Sequence, residues 1–96
     1  MKWKTIIIED EQLARQRLKR LLANYAEVDL IAEAENGQQG LELINAHQPD
    51  LIFLDIEMPL LNGFEMLTKL NKNHPKVVFT TAYDQYAIKA FEEGSI

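Results

Sequence analysis

Carboxylate side chains directly follow two of the apolar runs in this sequence. Glu9 and Asp10 come after the first run, and Asp55 comes at the end of a later one. If the fold brings these groups together, their like charges repel, and one of them must keep its proton unless a cation compensates. Magnesium prefers a few carboxylate oxygens together with water and phosphate oxygens. The sequence therefore predicts a magnesium site at Asp10 and Asp55, with Glu9 beside it.

The same residues are also suited to phosphoryl chemistry. A carboxylate can attack phosphorus and form an acyl phosphate, so Asp55 is a candidate nucleophile. Thr81 follows a further apolar run, and its hydroxyl could donate a hydrogen bond to a phosphoryl oxygen. Each residue alone has a simpler interpretation: Asp55 as a turn or helix cap, Glu9 and Asp10 as an acidic helix start, and Thr81 as a strand-end hydroxyl. Their shared position after apolar runs favours the chemical interpretation.

These candidate residues depend on short apolar runs that the sequence predicts to be strands. The runs are rich in Ile, Val and Leu and are too short for helices. The first, third and fourth runs lack alternation, as strands covered on both faces do, whereas the second carries acidic residues and is typical of an edge strand. The predicted strands are Thr5–Ile8, Leu30–Ala34, Leu51–Leu54 and Val77–Thr80.

A helix is predicted between the first two strands, over about residues 11–25. Apolar residues recur there at helical spacing from Ala14 onward, which gives one apolar stripe. The basic residues Arg15, Lys19 and Arg20 fall on the opposite face. We expect that face to be solvated.

Further helical segments alternate with the remaining strands. The second helix, Gln38–Ala46, contains Gly40, which would allow this helix to approach a sheet closely. This alternation predicts an α/β fold with a parallel sheet. Two more helices are predicted to start near Gly63, with Phe64, Leu67 and Leu70 facing inward, and near Asp84, which would be the N-cap.

The position of the candidate site follows from the behaviour of such sheets. In an open doubly wound sheet, ligands bind outside the carboxyl ends of the strands, at the point where the strand order reverses. For the common order 2-1-3-4-5, that point lies between strands one and three. This order would bring Asp10 and Asp55 together.

Composition excludes several classes of function. The chain has 96 residues, enough for one domain, and a formal net charge of −5, which disfavours direct binding of nucleic acid by this chain. It contains no cysteine, which excludes disulfides, thiolate zinc sites and cysteine nucleophiles. No apolar run approaches the ~18 residues of a membrane span. We therefore expect a cytoplasmic protein with no membrane contact.

The motifs around these residues resemble the receiver domain of two-component response regulators. The resemblance rests on "IIIEDE" for the acidic pair, "LIFLDIEMPLLNGFE" for the phosphoacceptor strand and its loop, and "VVFTTAY" for the hydroxyl strand. It implies a flavodoxin-like, doubly wound parallel sheet with strand order 2-1-3-4. The segments "QLARQRLKRLL" and "TAYDQYAIKAFEEGSI" are most similar to receivers of LytTR-type transcription regulators.

The resemblance implies a role for each candidate residue. Asp55 would accept a phosphoryl group from a histidine kinase, and Asp10 and Asp55 would bind magnesium together with the backbone carbonyl of Glu57. Glu9 would act through water, and Thr81 would be the switch hydroxyl. Such a domain is a phosphoacceptor that regulates an output, here transcription, and is not an enzyme in the usual sense.

The resemblance also implies segments that this chain does not contain. Receivers continue into a fifth strand, a Lys-Pro motif and a fifth helix, whereas this sequence stops at Ile96. We therefore expect residues 1–96 to be a receiver incomplete at its C-terminus, with DNA contacted only through an absent output domain. An unpaired Val77–Thr81 strand would favour edge-strand association, or a homodimer.

Two other functions remain open from the sequence. A receiver-like chain without the lysine could act as an interaction module that is not phosphorylated. Asp55 followed by Glu57 is also similar to aspartate-nucleophile phosphohydrolases of the haloacid dehalogenase type. Those enzymes normally carry Asp at the second position and have a much longer chain.

Overall fold

The computed structural model describes residues 2–55, 63–70 and 75–80, apart from the side chains of residues 63, 64 and 67. Within these ranges, strands and helices alternate along the chain. The strands are β1 (Trp3–Ile8), β2 (Val28–Ala34), β3 (Leu51–Asp55) and β4 (Lys76–Thr80). The helices are α1 (Gln12–Leu22), α2 (Gly37–His47) and α3 (Gly63–Thr68). The helix expected near Asp84 lies outside the described residues.

The described strands form one parallel sheet in the order β2-β1-β3-β4. This confirms the predicted fold class and strand order. The central strands are buried along their apolar lengths, with Ile6–Ile8 and Leu51–Leu54 at 0% exposure. The acidic strand β2 lies at an edge of the sheet, as predicted. The strand order therefore reverses between β1 and β3, which are direct neighbours.

Successive strand residues point to opposite sides of the sheet. Because the central strands are apolar on both sides, helices cover both faces. On one face, Ile7 and Phe53 pack with Leu18 and Leu22 of α1. The same cluster includes Leu51 and Val78, and the other face lies beneath α2 and α3. Its buried cluster is Ile6, Ile8, Ala34, Leu41, Ile44, Ile52, Leu54 and Met66. The sheet is therefore doubly wound, as its strand composition predicted.

The first helix is shorter than the sequence predicted. It ends at Leu22, whereas the apolar spacing continued to Tyr25. The reason is a tight turn in which the Tyr25 N–H donates to the carbonyl of Leu22, at 3.0 Å. Tyr25 still packs against the α1 cluster from this turn. The apolar stripe thus indicated which residues face the core, but not where the helix ends.

Asp50 ties together the amino ends of three strands. Its carboxylate accepts a hydrogen bond from the Lys4 N–H at 2.9 Å, and its own N–H donates to the Lys4 carbonyl at 2.8 Å. Its carbonyl accepts from the Lys76 N–H at 3.1 Å. These contacts hold β1, β3 and β4 in register at one end. The register places Ile8 beside Leu54 at the other end, where the candidate residues follow.

Gly40 brings α2 against the end of β1, as predicted. A Cβ at this position would lie 2.7 Å from Cδ1 of Ile8, and 3.1 and 3.2 Å from its Cγ1 and Cγ2. The three close contacts involve a branched, fully buried side chain, which has little freedom to move. Only glycine allows this approach without displacing the residue just before Glu9.

We expect Gly40→Ala to destabilise the protein. Glycine to alanine inside a helix normally stabilises by about 0.5–1 kcal/mol, but overpacking against Ile8 costs about 1–3 kcal/mol. The overpacking is the larger effect, so urea unfolding should give a net loss of about 1–2 kcal/mol. Asn45→Ala, at an exposed position of the same helix, serves as the control and should be neutral or slightly stabilising. A Gly40→Ala variant more stable than wild type would contradict this account of the packing.

Candidate functional site at the carboxyl ends of β1 and β3

The three acidic candidates lie together at the carboxyl edge of the sheet. Asp55 is the last residue of β3, and Glu9 and Asp10 directly follow β1. One carboxylate oxygen from each of the three residues lies within 4.8 Å of the other two. Glu9 and Asp55 are half-buried, whereas Asp10 is exposed. The juxtaposition expected from the strand order is therefore present.

The main chain and the side chain of Glu9 are both held by neighbouring elements. The Glu9 N–H donates to the carbonyl of Ala34 at 3.0 Å, which extends the β1–β2 pairing by one residue. The Glu9 carboxylate accepts a hydrogen bond from the N–H of Glu11, the N-cap residue of α1, at 3.2 Å. This donor is one of the amides that a helix start leaves without a helical partner. The cluster is therefore built on a strand end and a helix start.

The electrostatics of the cluster disfavour full ionisation. The pKa of Glu9 is raised from 4.5 to about 8, mainly because burial penalises the charged form. Hydrogen bonds with Asp10 and Asp55 raise it further, as does the negative charge of Asp55, while the Glu11 N–H opposes the shift. Without a cation, Glu9 therefore carries a proton at neutral pH.

This donor set fits a hard divalent cation. Three carboxylates on one edge offer oxygen ligands, and the exposed Asp10 leaves the cluster accessible from solvent. The raised pKa of Glu9, caused mainly by burial and then by Asp10 and Asp55, means that ionising all three carboxylates has a free-energy cost. A bound cation would remove that cost. Thr81 and Glu57, the other predicted site residues, lie outside the described residues.

The prediction of a solvated basic face on α1 is wrong for Arg15. Its side chain is only 12% exposed, and Nη1 donates to the carbonyl of Glu9 at 2.8 Å. Its Nε lies 3.4 Å from Oε1 of Glu33, whose Oε2 lies 2.7 Å from Nζ of Lys19. Arg15 is long enough to extend from the first turn of α1 to both β2 and the end of β1. Arg20 is exposed, as expected.

A comparison with models of protein families identifies the family to which the chain belongs. The family model described as "Response regulator receiver domain" matches residues 5–96. The chain is a response regulator receiver domain. The resemblance seen in the acidic, phosphoacceptor and hydroxyl motifs is thereby confirmed. A receiver of this kind is a signalling domain of a two-component system.

Curated relatives of this receiver are longer proteins. It is 46% identical over 91 residues to an uncharacterized response regulatory protein of Vibrio cholerae, an alignment that covers 94% of this chain and 38% of the relative. It is 43% identical, with the same coverage, to the transcriptional regulatory protein BtsR of Escherichia coli. The receiver thus spans about two fifths of the length of these relatives.

Solved structures of receivers share the fold. The response regulatory domain of mrkE from Klebsiella pneumoniae superposes with a TM-score of 0.75 at 34% identity, covering 93% of this chain and 75% of that one. The N-terminal domain of an uncharacterized Wolinella succinogenes protein gives a TM-score of 0.71 at 36% identity, covering 96% and 75%. None of the described helices α1, α2 and α3 has the length and apolar composition of a membrane-spanning segment.

The raised pKa of Glu9 predicts a pH-dependent stability in the metal-free receiver. The folded protein holds a proton that the unfolded chain releases near pH 4.5, whereas the folded state releases it near pH 8. The stabilisation from this proton is therefore complete below about pH 4.5 and is lost as the pH rises toward 8. Glu9→Gln, which is neutral throughout, lacks this dependence.

Urea unfolding of wild type and Glu9→Gln across this pH range tests the assignment. We expect the stability of Glu9→Gln relative to wild type to increase steadily between about pH 5 and pH 8. Glu42→Gln, at an exposed position of α2, controls for the loss of one acidic group and should show no comparable trend. A constant difference between wild type and Glu9→Gln over this range would contradict the raised pKa.

Proposed function

We propose that this receiver accepts a phosphoryl group from a histidine kinase onto Asp55, with magnesium, and thereby regulates transcription. The observation that carries the proposal is the carboxylate cluster, in which Asp55 lies at the end of β3 with oxygens of Glu9 and Asp10 within 4.8 Å. Membership of the receiver family supports the role of Asp55 as acceptor. The three carboxylates are also the kind of oxygen ligands that a hard divalent cation prefers.

The transfer moves one phosphoryl group between two side chains. A carboxylate oxygen of Asp55 attacks the phosphorus of a phosphohistidine, an O–P bond forms, and the P–N bond breaks. The electron pair of that bond returns to the imidazole nitrogen, and the product on the receiver is an acyl phosphate. Because the incoming group is anionic, the negative cluster opposes its approach unless its charge is compensated.

The residues present fit magnesium as that compensating charge. Asp10 and Asp55 would hold the ion, together with the backbone carbonyl of Glu57, and Glu9 would act through water. When bound, magnesium supplies positive charge next to the transferring phosphoryl oxygens. The Thr81 hydroxyl would donate a hydrogen bond to a phosphoryl oxygen. Its movement would couple phosphorylation to the rest of the domain.

Both the relatives and the sequence support transcription as the regulated output. BtsR is named a transcriptional regulatory protein, and the α1 and C-terminal segments of this chain resemble LytTR-type regulators. A receiver with a net charge of −5 is itself a poor DNA ligand. DNA would therefore be contacted by an output domain outside this chain, and the phosphoryl exchange with the kinase would take place in the cytoplasm.

Incubation with a small acyl-phosphate donor, in magnesium and in EDTA, tests the proposed function. We expect the purified protein to incorporate one phosphoryl group only when magnesium is present. The linkage should survive acid and be cleaved by hydroxylamine, as an acyl phosphate is. Labelling that resists hydroxylamine, or that EDTA does not reduce, would exclude this mechanism.

A further inference from the structure

We propose that Arg15 is a positioning residue for the metal site: it fixes the peptide that joins Glu9 to Asp10, and thereby the direction of their carboxylates. This inference rests on the proposed function, because it concerns the same site. It assigns a task to a residue that touches none of the three carboxylates through any contact described above. Among the residues that the structure describes, Arg15 contacts the site through the Glu9 main chain.

The contact lies where it can control the geometry of both acidic residues. Nη1 of Arg15 donates to the Glu9 carbonyl at 2.8 Å. That carbonyl shares one rigid plane with the N–H of Asp10, because the peptide bond is planar. The Glu9 N–H on the other side is bonded to the Ala34 carbonyl at 3.0 Å. The main chain is therefore held on both sides of Glu9, just before it turns into Asp10.

Arg15 is itself held in place by neighbouring residues. Its backbone N–H donates to the carbonyl of Glu11 at 3.0 Å, within the first turn of α1. Its Nε lies 3.4 Å from Glu33, which is paired in register with Ile7 at the neighbouring strand. The second oxygen of Glu33 is bound by Lys19 at 2.7 Å. The guanidinium therefore connects α1, β2 and the end of β1 into one unit.

The charge of Arg15 does not favour cation binding at the site. A cation near a cation-binding cluster opposes metal binding through Coulomb repulsion, and burial of a guanidinium to 12% exposure adds a desolvation cost. What arginine offers is a rigid fork of donors that can reach a carbonyl and a carboxylate at once, which a single lysine nitrogen does less well. The benefit that fits these contacts is geometric.

The charge account and the positioning account of Arg15 predict opposite changes in Mg²⁺ affinity. If the residue acts by charge, Arg15→Gln raises the affinity for Mg²⁺. If it positions the site, Arg15→Gln lowers that affinity, and we expect a loss of about tenfold, as for other residues that orient metal ligands. Arg20→Gln removes the same charge from an exposed position of the same helix and should leave the affinity unchanged or slightly raised.

A double-mutant cycle with Glu33→Gln separates the accounts further. Glu33→Gln removes the ion pair that holds Arg15 and should cause a smaller loss of Mg²⁺ affinity. In the positioning account, the double variant Arg15→Gln/Glu33→Gln has the affinity of Arg15→Gln alone, because both changes act through one contact. In the charge account, the two changes cancel and the double variant binds like wild type.

The experiment is a titration of the purified protein with MgCl₂ at constant ionic strength, followed by the amide resonances of residues 9–11 and of Asp55. Arg15→Lys should recover part of the affinity, since one nitrogen can still donate to the Glu9 carbonyl. In the metal-free state, the carbonyl carbon resonance of Glu9 should move upfield in Arg15→Gln and not in Arg20→Gln. Circular dichroism establishes that each variant is folded; if Arg15→Gln is not, Arg15→Lys and Glu33→Gln provide the test.

The outcomes distinguish this inference from the proposed function. If wild type shows no Mg²⁺-dependent shifts at Asp10 and Asp55, the proposed function fails. If wild type binds Mg²⁺ and Arg15→Gln binds it equally well or more tightly, only the role of Arg15 is overturned. A loss of affinity in Arg15→Gln, retained in the double variant, establishes Arg15 as a positioning residue.

Discussion

Asp55→Asn is expected to abolish phosphoryl incorporation. A neutral amide oxygen is a far poorer nucleophile than a carboxylate, and the substitution also removes a proposed magnesium ligand. The labelled fraction should fall below detection with either a small acyl-phosphate donor or a phosphorylated histidine kinase. Separation of the phosphorylated and unmodified forms by gel electrophoresis gives the measurement.

Asp29→Asn is the matched control for this substitution. Asp29 is an exposed aspartate on the edge strand β2, so the substitution makes the same chemical change outside the cluster. It should label like wild type. If Asp55→Asn labels as well as Asp29→Asn, Asp55 is not the phosphoacceptor.

Asp10→Asn is expected to change metal binding and stability in opposite directions. It removes a proposed magnesium ligand, and the Mg²⁺ affinity should fall by at least about tenfold. It also removes one negative charge from a cluster of three carboxylates, so the metal-free protein should become more stable above about pH 8, where Glu9 is ionised as well. The pKa of Glu9 should fall, because the hydrogen bond with Asp10 is one of the causes that raise it.

Urea unfolding in EDTA, together with MgCl₂ titration, measures both effects on one preparation. Asp29→Asn again controls for the loss of one carboxylate and should change neither quantity appreciably. Asp10→Asn should also be phosphorylated more slowly than wild type, because it lacks a metal ligand but retains the nucleophile Asp55. It should still fold. An Asp10→Asn variant that is less stable and binds Mg²⁺ normally would show that the cluster is not a metal site.

The fold and the acidic cluster were predictable from the sequence for physical reasons. Strands buried on both faces must be apolar throughout, which marks β1 and β3, whereas acidic residues mark β2 as an edge strand. Parallel strands end at the same edge, so Glu9 and Asp55 had to be close once those strands were neighbours. Gly40 indicated a close helix approach because glycine has no Cβ, and in the structure a Cβ there would meet Ile8.

The details that the sequence left undetermined depend on side-chain reach and on local turns. A helical pattern gives the direction in which Arg15 leaves α1, but not that its long side chain bends toward Glu9 and Glu33. The i→i−3 bond that ends α1 before Tyr25 has no signature in apolar spacing. Met66 is fully buried, although the sequence predicted Phe64, Leu67 and Leu70 as the inward residues. The side chains of Phe64 and Leu67 lie outside the described residues. Leu70, one of those predicted, is half-buried against the same cluster.

Borohydride reduction of the phosphorylated protein, followed by tandem mass spectrometry, tests the central claim most directly. An aspartyl phosphate is reduced to homoserine, so the modified residue is identified by its position in the sequence. Phosphoryl acceptance at the carboxylate cluster predicts homoserine at position 55 alone, only in samples that received both magnesium and the phosphodonor. Homoserine at another position, or a fully labelled protein without any homoserine, would contradict it.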